Sequence, residues 1–449
     1  MNQTKSHDTR PTLIGYLPPL EGIRKTGANY QSHSQFINIG DIAYAHAGAL
    51  LTSGRNFDVW NFRMSADEVN ENFSKVVFFI PCRIAPPPYD QDGYPYAFAT
   101  DFIERLKIPF FSLGESIQTR HYEYESNFHN LLSAEVVRYL SVIADKSPLV
   151  GTRGEYSAEV LNKLGIKNAM PLGCPSLYLN GLSLPASLQQ VPAEPRRVAV
   201  CYSNYQSNAH SRIDDVLRLA DQCDYHYVEQ TFGLVTQALY YPGKISGADI
   251  QAARSFYRDL TPLLSLLEKG LVRYFTNYTL WKDFLSSVDF AFGARMHGLT
   301  PAIHAGKPAV FIAHDARVRE MCEFFSLPFV SEGELPRQLS LSFFLSHCNY
   351  SAASARYRQA YSQFVATLHR YGIGENIGAG GEIIDSWTPI PDPRVVWEEG
   401  SVRYTSEEMS ILQRQIALGR EIPDEVFSKL AQIKNLGHDW YLSRLDRAK

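Results

Sequence analysis

Short apolar runs rich in β-forming residues alternate with helix-like segments along most of this chain, and no other feature restricts its fold so much. The alternation is that of parallel α/β sheets, whose strands lie between helices and therefore read as continuous apolar runs. In the first half, "KVVFFI" (75–80), "IPFFSLG" (108–114), "SPLVGTR" (147–153) and "KNAMPLG" (167–173) are expected strands. "EYSAEVLNKLGI" (155–166) is the helix between the last two, stopped by Gly165. A stretch rich in proline and polar residues (183–197) precedes a fresh strand, "VAVCYS" (198–203), and marks a boundary between lobes. The second lobe repeats the pattern with strand "LVRYFTN" (271–277), helix "LWKDFLSSV" (280–288), strand "DFAFGA" (289–294), a short helix and strand "PAVFIAH" (308–314), a βαβαβ unit.

A chain of 449 residues is too long for one core of ordinary size, which supports the same division. We expect an N-terminal lobe over 1–190, a C-terminal lobe over 191–375 and a helical extension over 376–449. "ARYRQAYSQFVATLHRYG" (355–372) is an expected helix, and the segment 405–433 opens on a capping-box spacing at Thr405 or Ser406.

Composition excludes several functions. Acidic residues number 47 and basic residues 43, a formal charge of −4, which is the wrong balance for a surface that neutralises many phosphates; nucleic acid is not an expected partner. The cysteines at 82, 174, 201, 223, 322 and 348 form no CxxC pair and read as reduced core residues of a cytoplasmic protein. The polar first dozen residues lack a secretory pattern, and apolar runs such as "VVFFI" are far too short to span a bilayer, although contact with a membrane surface stays open.

Chemistry concentrates in "GARMHGLTPAIHAGKPAVF" (293–311). Ligands of open α/β sheets bind beyond the carboxyl ends of the strands, where Arg295 and His297 stand. Were the chain still extended through 295–297, both side chains would share a face. The next helix would add unpaired N–H groups and a positive dipole end, Gly298 would allow close backbone approach, and Gly306 would end the helix. The plainer alternative is an arginine paired with a core carboxylate and a histidine satisfying a carbonyl.

This stretch resembles the signature of the polysaccharide pyruvyl transferases, an R-[LM]-H-G turn followed by a short helix, a glycine and a strand. "NIGD" (38–41), "GES" (114–116), "TRGEYSAEVLNKLGI" (152–166) and "GCPSLYL" (173–179) match in the same order, so the resemblance spans roughly residues 35–375. It implies two Rossmann-like lobes with parallel sheets, similar to GT-B glycosyltransferases, with the site between them. The implied reaction transfers pyruvate from phosphoenolpyruvate onto two hydroxyls of a saccharide, forming a cyclic ketal in exopolysaccharide or cell-surface glycan biosynthesis, with no cofactor and no metal.

Protonating the methylene carbon of an enol phosphate needs a positioned general acid, for which His297 is the candidate. The carboxylate and phosphate need cations and N–H donors, for which Arg295 leads. Arg153, Arg317, Gly298 and His314 are further donor-side candidates at strand ends, as are Ser203, Asn204 and Asn277. The chain departs from the family in having Gly154 where an acid is expected, and "CYSNY" (201–205) where a basic residue often stands. Arg319 and His304 read first as a solvated helix arginine and a packing residue, and a metal held by His297, His314 and Asp315 lacks tight ligand spacing.

On the acceptor side, Asn38, Gly40 and Asp41 open an amphipathic helix, with Asp41 as a base or hydroxyl orienter, or simply as its cap. Tyr89, Tyr94 and Tyr96 lie in a proline- and tyrosine-rich stretch and either stack on a sugar or stiffen a surface loop. The implied acceptor is free or lipid-linked, the location cytoplasmic or peripheral at the inner membrane face, and the oligomeric state open. The rivals are a GT-B-type glycosyltransferase with a nucleotide-sugar donor, although no E-x7-E pattern is present, and a non-catalytic assembly protein.

Overall fold

The computed structural model describes residues 12–16, 43, 47, 51, 55–58, 65–79, 84–87, 96–119, 121–202, 212–221, 223–230, 257, 259, 261–273, 275, 278–373, 376–378 and 381–382. Within them the apolar runs form two six-stranded sheets in which every pairing is parallel. The first sheet comprises β1 (Thr12–Tyr16), β2 (Arg55–Asp58), β3 (Lys75–Phe79), β4 (Phe110–Glu115), β5 (Val150–Thr152) and β6 (Ala169–Pro171), in the spatial order β2-β1-β3-β4-β5-β6. The second comprises β7 (Arg197–Val200), β8 (Asp224–Val228), β9 (Val272–Arg273), β10 (Phe290–Gly293), β11 (Ala309–Ala313) and β12 (Phe329–Ser331), ordered β12-β11-β10-β7-β8-β9. Counted from β7, that is the doubly wound order 3-2-1-4-5-6, whose direction reverses between β7 and β10. The first sheet has the order 2-1-3-4-5-6, and two such parallel sheets with their helices make this a two-lobed α/β protein.

The central strands are buried on both faces: β4, β10 and β11 are buried at every position, which is why they read as unbroken apolar runs. Helices α1 (Ala66–Asn72), α2 (Tyr96–Glu104), α3 (Ala134–Lys146) and α4 (Glu155–Lys163) serve the first lobe. Helices α5 (Ile213–Leu217), α6 (Thr261–Glu268), α7 (Tyr278–Ser286), α8 (Met296–His304), α9 (Ala316–Phe325) and α10 (Leu341–His347) serve the second, and α11 (Ala353–Arg370) follows. Ser65 and Glu68 close a reciprocal capping box on α1, and Gly165 and Gly306 take positive φ (88° and 72°) just beyond α4 and α8. Ala43, Ala47 and Leu51 are helical and buried, four residues apart, which puts them on one face of the amphipathic helix expected after Gly40.

Strands β1, β2, β8 and β12 and helices α1, α2, α3, α5, α6 and α10 went unread in the sequence. Tyr96 corrects an expectation outright: it opens α2, is buried, and meets Tyr139 edge-on at 5.3 Å, so it has no face for a sugar. The segment 405–433 lies outside the described residues, as do Cys82 and Tyr94. The other five cysteines are free thiols, Cys223 half-buried and the rest buried.

Helix α11 crosses back onto the first lobe. Tyr357 Oη donates to Leu177 O (3.1 Å), Arg356 Nη2 pairs with Glu155 at 3.2 Å, and Lys75 Nζ donates to Gly372 O. Tyr178 stacks on Phe364 at 4.6 Å and meets the ring of Phe325 at 5.4 Å. Val77, Phe79, Phe111 and Leu113 of the first sheet thereby belong to the same apolar cluster as β7, β10 and β11. Among the described residues no helix is long and apolar enough to cross a membrane.

Candidate active site

The reversal point of the second sheet is where β7 and β10 end side by side. Gly293, at the end of β10, has φ 153°, and a Cβ there would stand 2.1 Å from Cys201 O. Only glycine lets the two backbones approach so closely. The chain then returns a hydrogen bond, Arg295 N to Cys201 O at 3.0 Å, and enters α8. Arg295 is the N-cap of this helix, with extended backbone (φ −95°, ψ 105°), and His297 lies in its first turn. The helix starts at Met296, so the shared strand face considered for 295–297 does not exist; helix-start geometry brings the two residues together instead.

Both are buried, Arg295 at 7 % exposure and His297 at 8 %. Burial holds the imidazole well below its ordinary value, and Arg153, Arg317 and Arg295, in that order, push it further down by repelling a second positive charge. Three arginines expected from three different strand ends therefore converge electrostatically on one neutral histidine. His297 Nε2 lies 3.7 Å from Cys174 Sγ, which follows β6 in the other lobe, and Cys174 in turn lies 2.9 Å from Ser176 Oγ.

Arg317 is steadied by Asp315, donating from Nε at 2.8 Å and Nη2 at 2.6 Å. Asp315 is also the N-cap of α9, accepting from Val318 N at 3.0 Å. Burial would raise the Asp315 carboxyl, but Arg317, His314 and these hydrogen bonds outweigh it and hold it at about 2. His314 Nε2 stands 3.5 Å from Asp315, and among the described residues its buried Nδ1 has no hydrogen-bond partner. Burial lowers the His314 pKa; Asp315 opposes that, while Arg317 and Arg295 add to it.

The remaining expected residues divide. Arg319 lies over the Tyr124 ring at 4.2 Å and pairs with Glu323 at 2.8 Å, the plainer reading. His304 bonds Tyr278 Oη and lies 3.2 Å from Leu177 O, joining the lobes as a packing residue. Asn38, Gly40, Asp41, Tyr89, Ser203, Asn204 and Asn277 lie outside the described residues. No group of three or more His, Cys, Asp or Glu among the described residues is placed to hold a metal ion.

Two buried carboxyls flank Arg153 and escaped the sequence reading. A register irregularity at Gly114 (φ 92°) interrupts the β4–β5 pairing and precedes Glu115, whose Oε1 accepts from Ser112 Oγ at 2.5 Å. Arg153 donates from its own N–H to Glu115 O (2.9 Å) and from Nε to Gly114 O (3.0 Å). The second carboxyl, Glu320, comes from α9. It accepts from Ser157 N at 3.0 Å and Ser157 Oγ at 2.6 Å, and so caps the start of α4 from the opposite lobe. Gly154 makes room for it, since a Cβ there would meet Glu320 at 3.0–3.2 Å. The position where the family has an acid thus lies against an acid supplied across the seam. "GES" signalled the first carboxyl, but no local pattern signals the second.

Burial raises both carboxyls to about 7, against the hydrogen bonds they accept and the charge of Arg153. A carboxyl that holds its proton more tightly when folded contributes stability that is full below its unfolded value near 4.5 and is lost as pH rises through 7. Glu320→Gln, which cannot ionise, should therefore match the wild type near pH 5 and exceed it by about 3 kcal/mol at pH 9. Urea unfolding at the two pH values measures this, and parallel profiles for the two proteins would refute it.

Solved structures with related folds include the S. aureus MnaA–UDP complex (9 % identity, TM-score 0.40, covering 82 % of this chain and 98 % of that one). They also include a UDP-N-acetylglucosamine 2-epimerase from Rickettsia bellii (11 %, 0.38, 81 % and 98 %) and the wall teichoic acid polymerase TagF (12 %, 0.39, 82 % and 89 %). No curated protein matches the chain. The polysaccharide pyruvyl transferase family model matches residues 38–316, a span that takes in Arg153, Cys174, Arg295 and the whole R-x-H-G turn with its helix and ends one residue before Arg317, and with that match the chain belongs to the polysaccharide pyruvyl transferase family.

Proposed function

We propose that the protein transfers pyruvate from phosphoenolpyruvate to two hydroxyls of a saccharide, releasing phosphate and leaving a cyclic ketal on a cell-surface or exported glycan precursor. The observation that carries this reading is the group of Arg153, Arg295 and Arg317 around a neutral His297 at the sheet's reversal point. Phosphoenolpyruvate brings a carboxylate and a phosphate, groups that guanidiniums and the N–H groups of a helix start are suited to hold.

Binding this anion also changes the histidine. It offsets the three positive charges that add to burial in holding the imidazole neutral, which raises the His297 pKa and favours its protonation as the acid for the methylene carbon. Protonation there converts the enol phosphate into an oxocarbenium-like centre, stabilised by the adjacent oxygens. One saccharide hydroxyl adds to it and returns a proton to His297; the second hydroxyl then replaces the phosphate, which leaves toward the arginines carrying that hydroxyl's proton. No redox step occurs: the donor supplies the three carbons with their carboxylate, and the methyl's third hydrogen comes through His297. We place the reaction in the cytoplasm or at the inner membrane face, with a free or lipid-linked acceptor.

A thermal-shift titration of the full-length protein with phosphoenolpyruvate, and separately with a panel of nucleotide-sugars, tests the donor. At 100 times its Kd a ligand adds about 2.7 kcal/mol to the folded state, a readily measured shift. Stabilisation by phosphoenolpyruvate alone is expected. Stabilisation only by a nucleotide-sugar would replace this reading with glycosyl transfer.

A further inference from the structure

Strand β8 runs beside β7, with Tyr227 opposite Val200, so the two residues after β8 come level with the end of β7. The second of them, Gln230, is 1 % exposed. Its main chain is accounted for, with Gln230 N donating to Glu229 Oε1 at 2.7 Å. Its side chain is not: among the described residues neither Nε2 nor Oε1 has a hydrogen-bond partner. A buried carboxamide left in this state is costly, and such groups in folded proteins normally meet a partner, a water or a ligand.

The direction of the amide is fixed by Gly298. A Cβ on that residue would stand 1.9 Å from Gln230 Nε2 and 2.7 Å from Cys201 Cβ. The amide therefore lies against the first turn of α8, the turn that Arg295 caps and that carries His297. Helix start and unpartnered amide are separate observations that point to one place.

The chemistry of the amide selects what it meets. Guanidiniums already supply charge for an anion, and the carbonyl lone pairs of a carboxamide would repel one. A neutral group that both gives and accepts hydrogen bonds suits it, and neighbouring sugar hydroxyls are such a group. We infer that Gln230 contacts the saccharide acceptor, its Oε1 accepting from one hydroxyl and its Nε2 donating to another, beside the arginines that take the donor. This rests on the pyruvyl-transfer reading and assigns part of the acceptor site to the C-terminal lobe.

Full-length wild type, Gln230→Met and Gln230→Glu are titrated, by thermal shift, with phosphoenolpyruvate, with UDP, and with the p-nitrophenyl β-glycosides of galactose, glucose, mannose and N-acetylglucosamine. Gln230→Met should bind at least one glycoside about tenfold more weakly and phosphoenolpyruvate as the wild type does. Gln230→Glu retains an acceptor for hydroxyls but adds a negative charge near the arginines. It should keep the glycoside and lose phosphoenolpyruvate affinity by about tenfold, a pattern that packing damage would not give. Equal loss of both ligands in Gln230→Met, loss of UDP binding alone, unchanged glycoside affinity, or a wild type stabilised by none of the glycosides would overturn the assignment. A wild type that ignores phosphoenolpyruvate would instead overturn the pyruvyl-transfer reading.

Discussion

Arg295→Ala is expected to reduce phosphate release from phosphoenolpyruvate by roughly 10^3-fold in kcat/KM while leaving a folded protein. The size follows from the place of the guanidinium: it is buried, it caps the helix that carries His297, and it helps to hold that imidazole neutral. Removing one donor aimed at developing charge in such a site costs roughly 10^2- to 10^3-fold, and a charged donor lies at the upper end. Arg295→Lys restores the charge without the planar fork and should recover about tenfold of that loss. With one positive neighbour gone, the His297 pKa should rise, so imidazole protonation followed by NMR should move toward neutral pH in Arg295→Ala. Phosphate release retained within about threefold would remove Arg295 from the chemistry and return it to the plainer role of a structural arginine.

Gly293→Ala should be strongly destabilising. Its Cβ would lie 2.1 Å from Cys201 O and 2.5 Å from Cys201 C, both backbone atoms of a buried residue directly after the central strand β7. The positive φ of 153° adds backbone strain for any residue with a side chain. A cost of about 4 kcal/mol or more is expected, a large share of the roughly 5–15 kcal/mol that holds a typical domain together. The variant should express poorly or unfold at markedly lower urea than the wild type. What remains folded should lack activity, because the same crossing sets the hydrogen bond from Arg295 N to Cys201 O. An unfolding midpoint within error of the wild type would mean that β7 and β10 can part at no cost.

The sequence disclosed most where one residue pattern had one physical cause. Strands buried on both faces had to be continuous apolar runs, so β3, β4, β10 and β11 were legible. Strand β8, "DYHYV", was missed because polar and aromatic residues hide its alternation, while β9, read over 271–277, proves only two residues long. Helix α2 was missed because prolines and tyrosines upstream of Tyr96 resemble a loop. The arginines were findable one at a time at strand ends, but their convergence belongs to the facing of two sheets. Glu320 shows the limit most clearly: nothing in "VREMCEFF" announces that its carboxylate will cap a helix begun more than 160 residues earlier. Gln230 was equally silent, since what marks it is a side-chain amide that has no hydrogen-bond partner among the described residues.

The return of α11 to the first lobe bears on how the molecule comes apart. Because Tyr178, Phe325, Tyr357 and Phe364 pack together, one face of the first sheet shares an apolar cluster with the second sheet, while its other face packs in a cluster of its own. Heating should then give a single calorimetric transition, and a protease cut within the exposed 186–197 connection should leave both halves associated until denaturant is added. Any motion that keeps this aromatic stack packed is limited to sliding and small rotation about it, and wide separation of the lobes would require breaking that packing first.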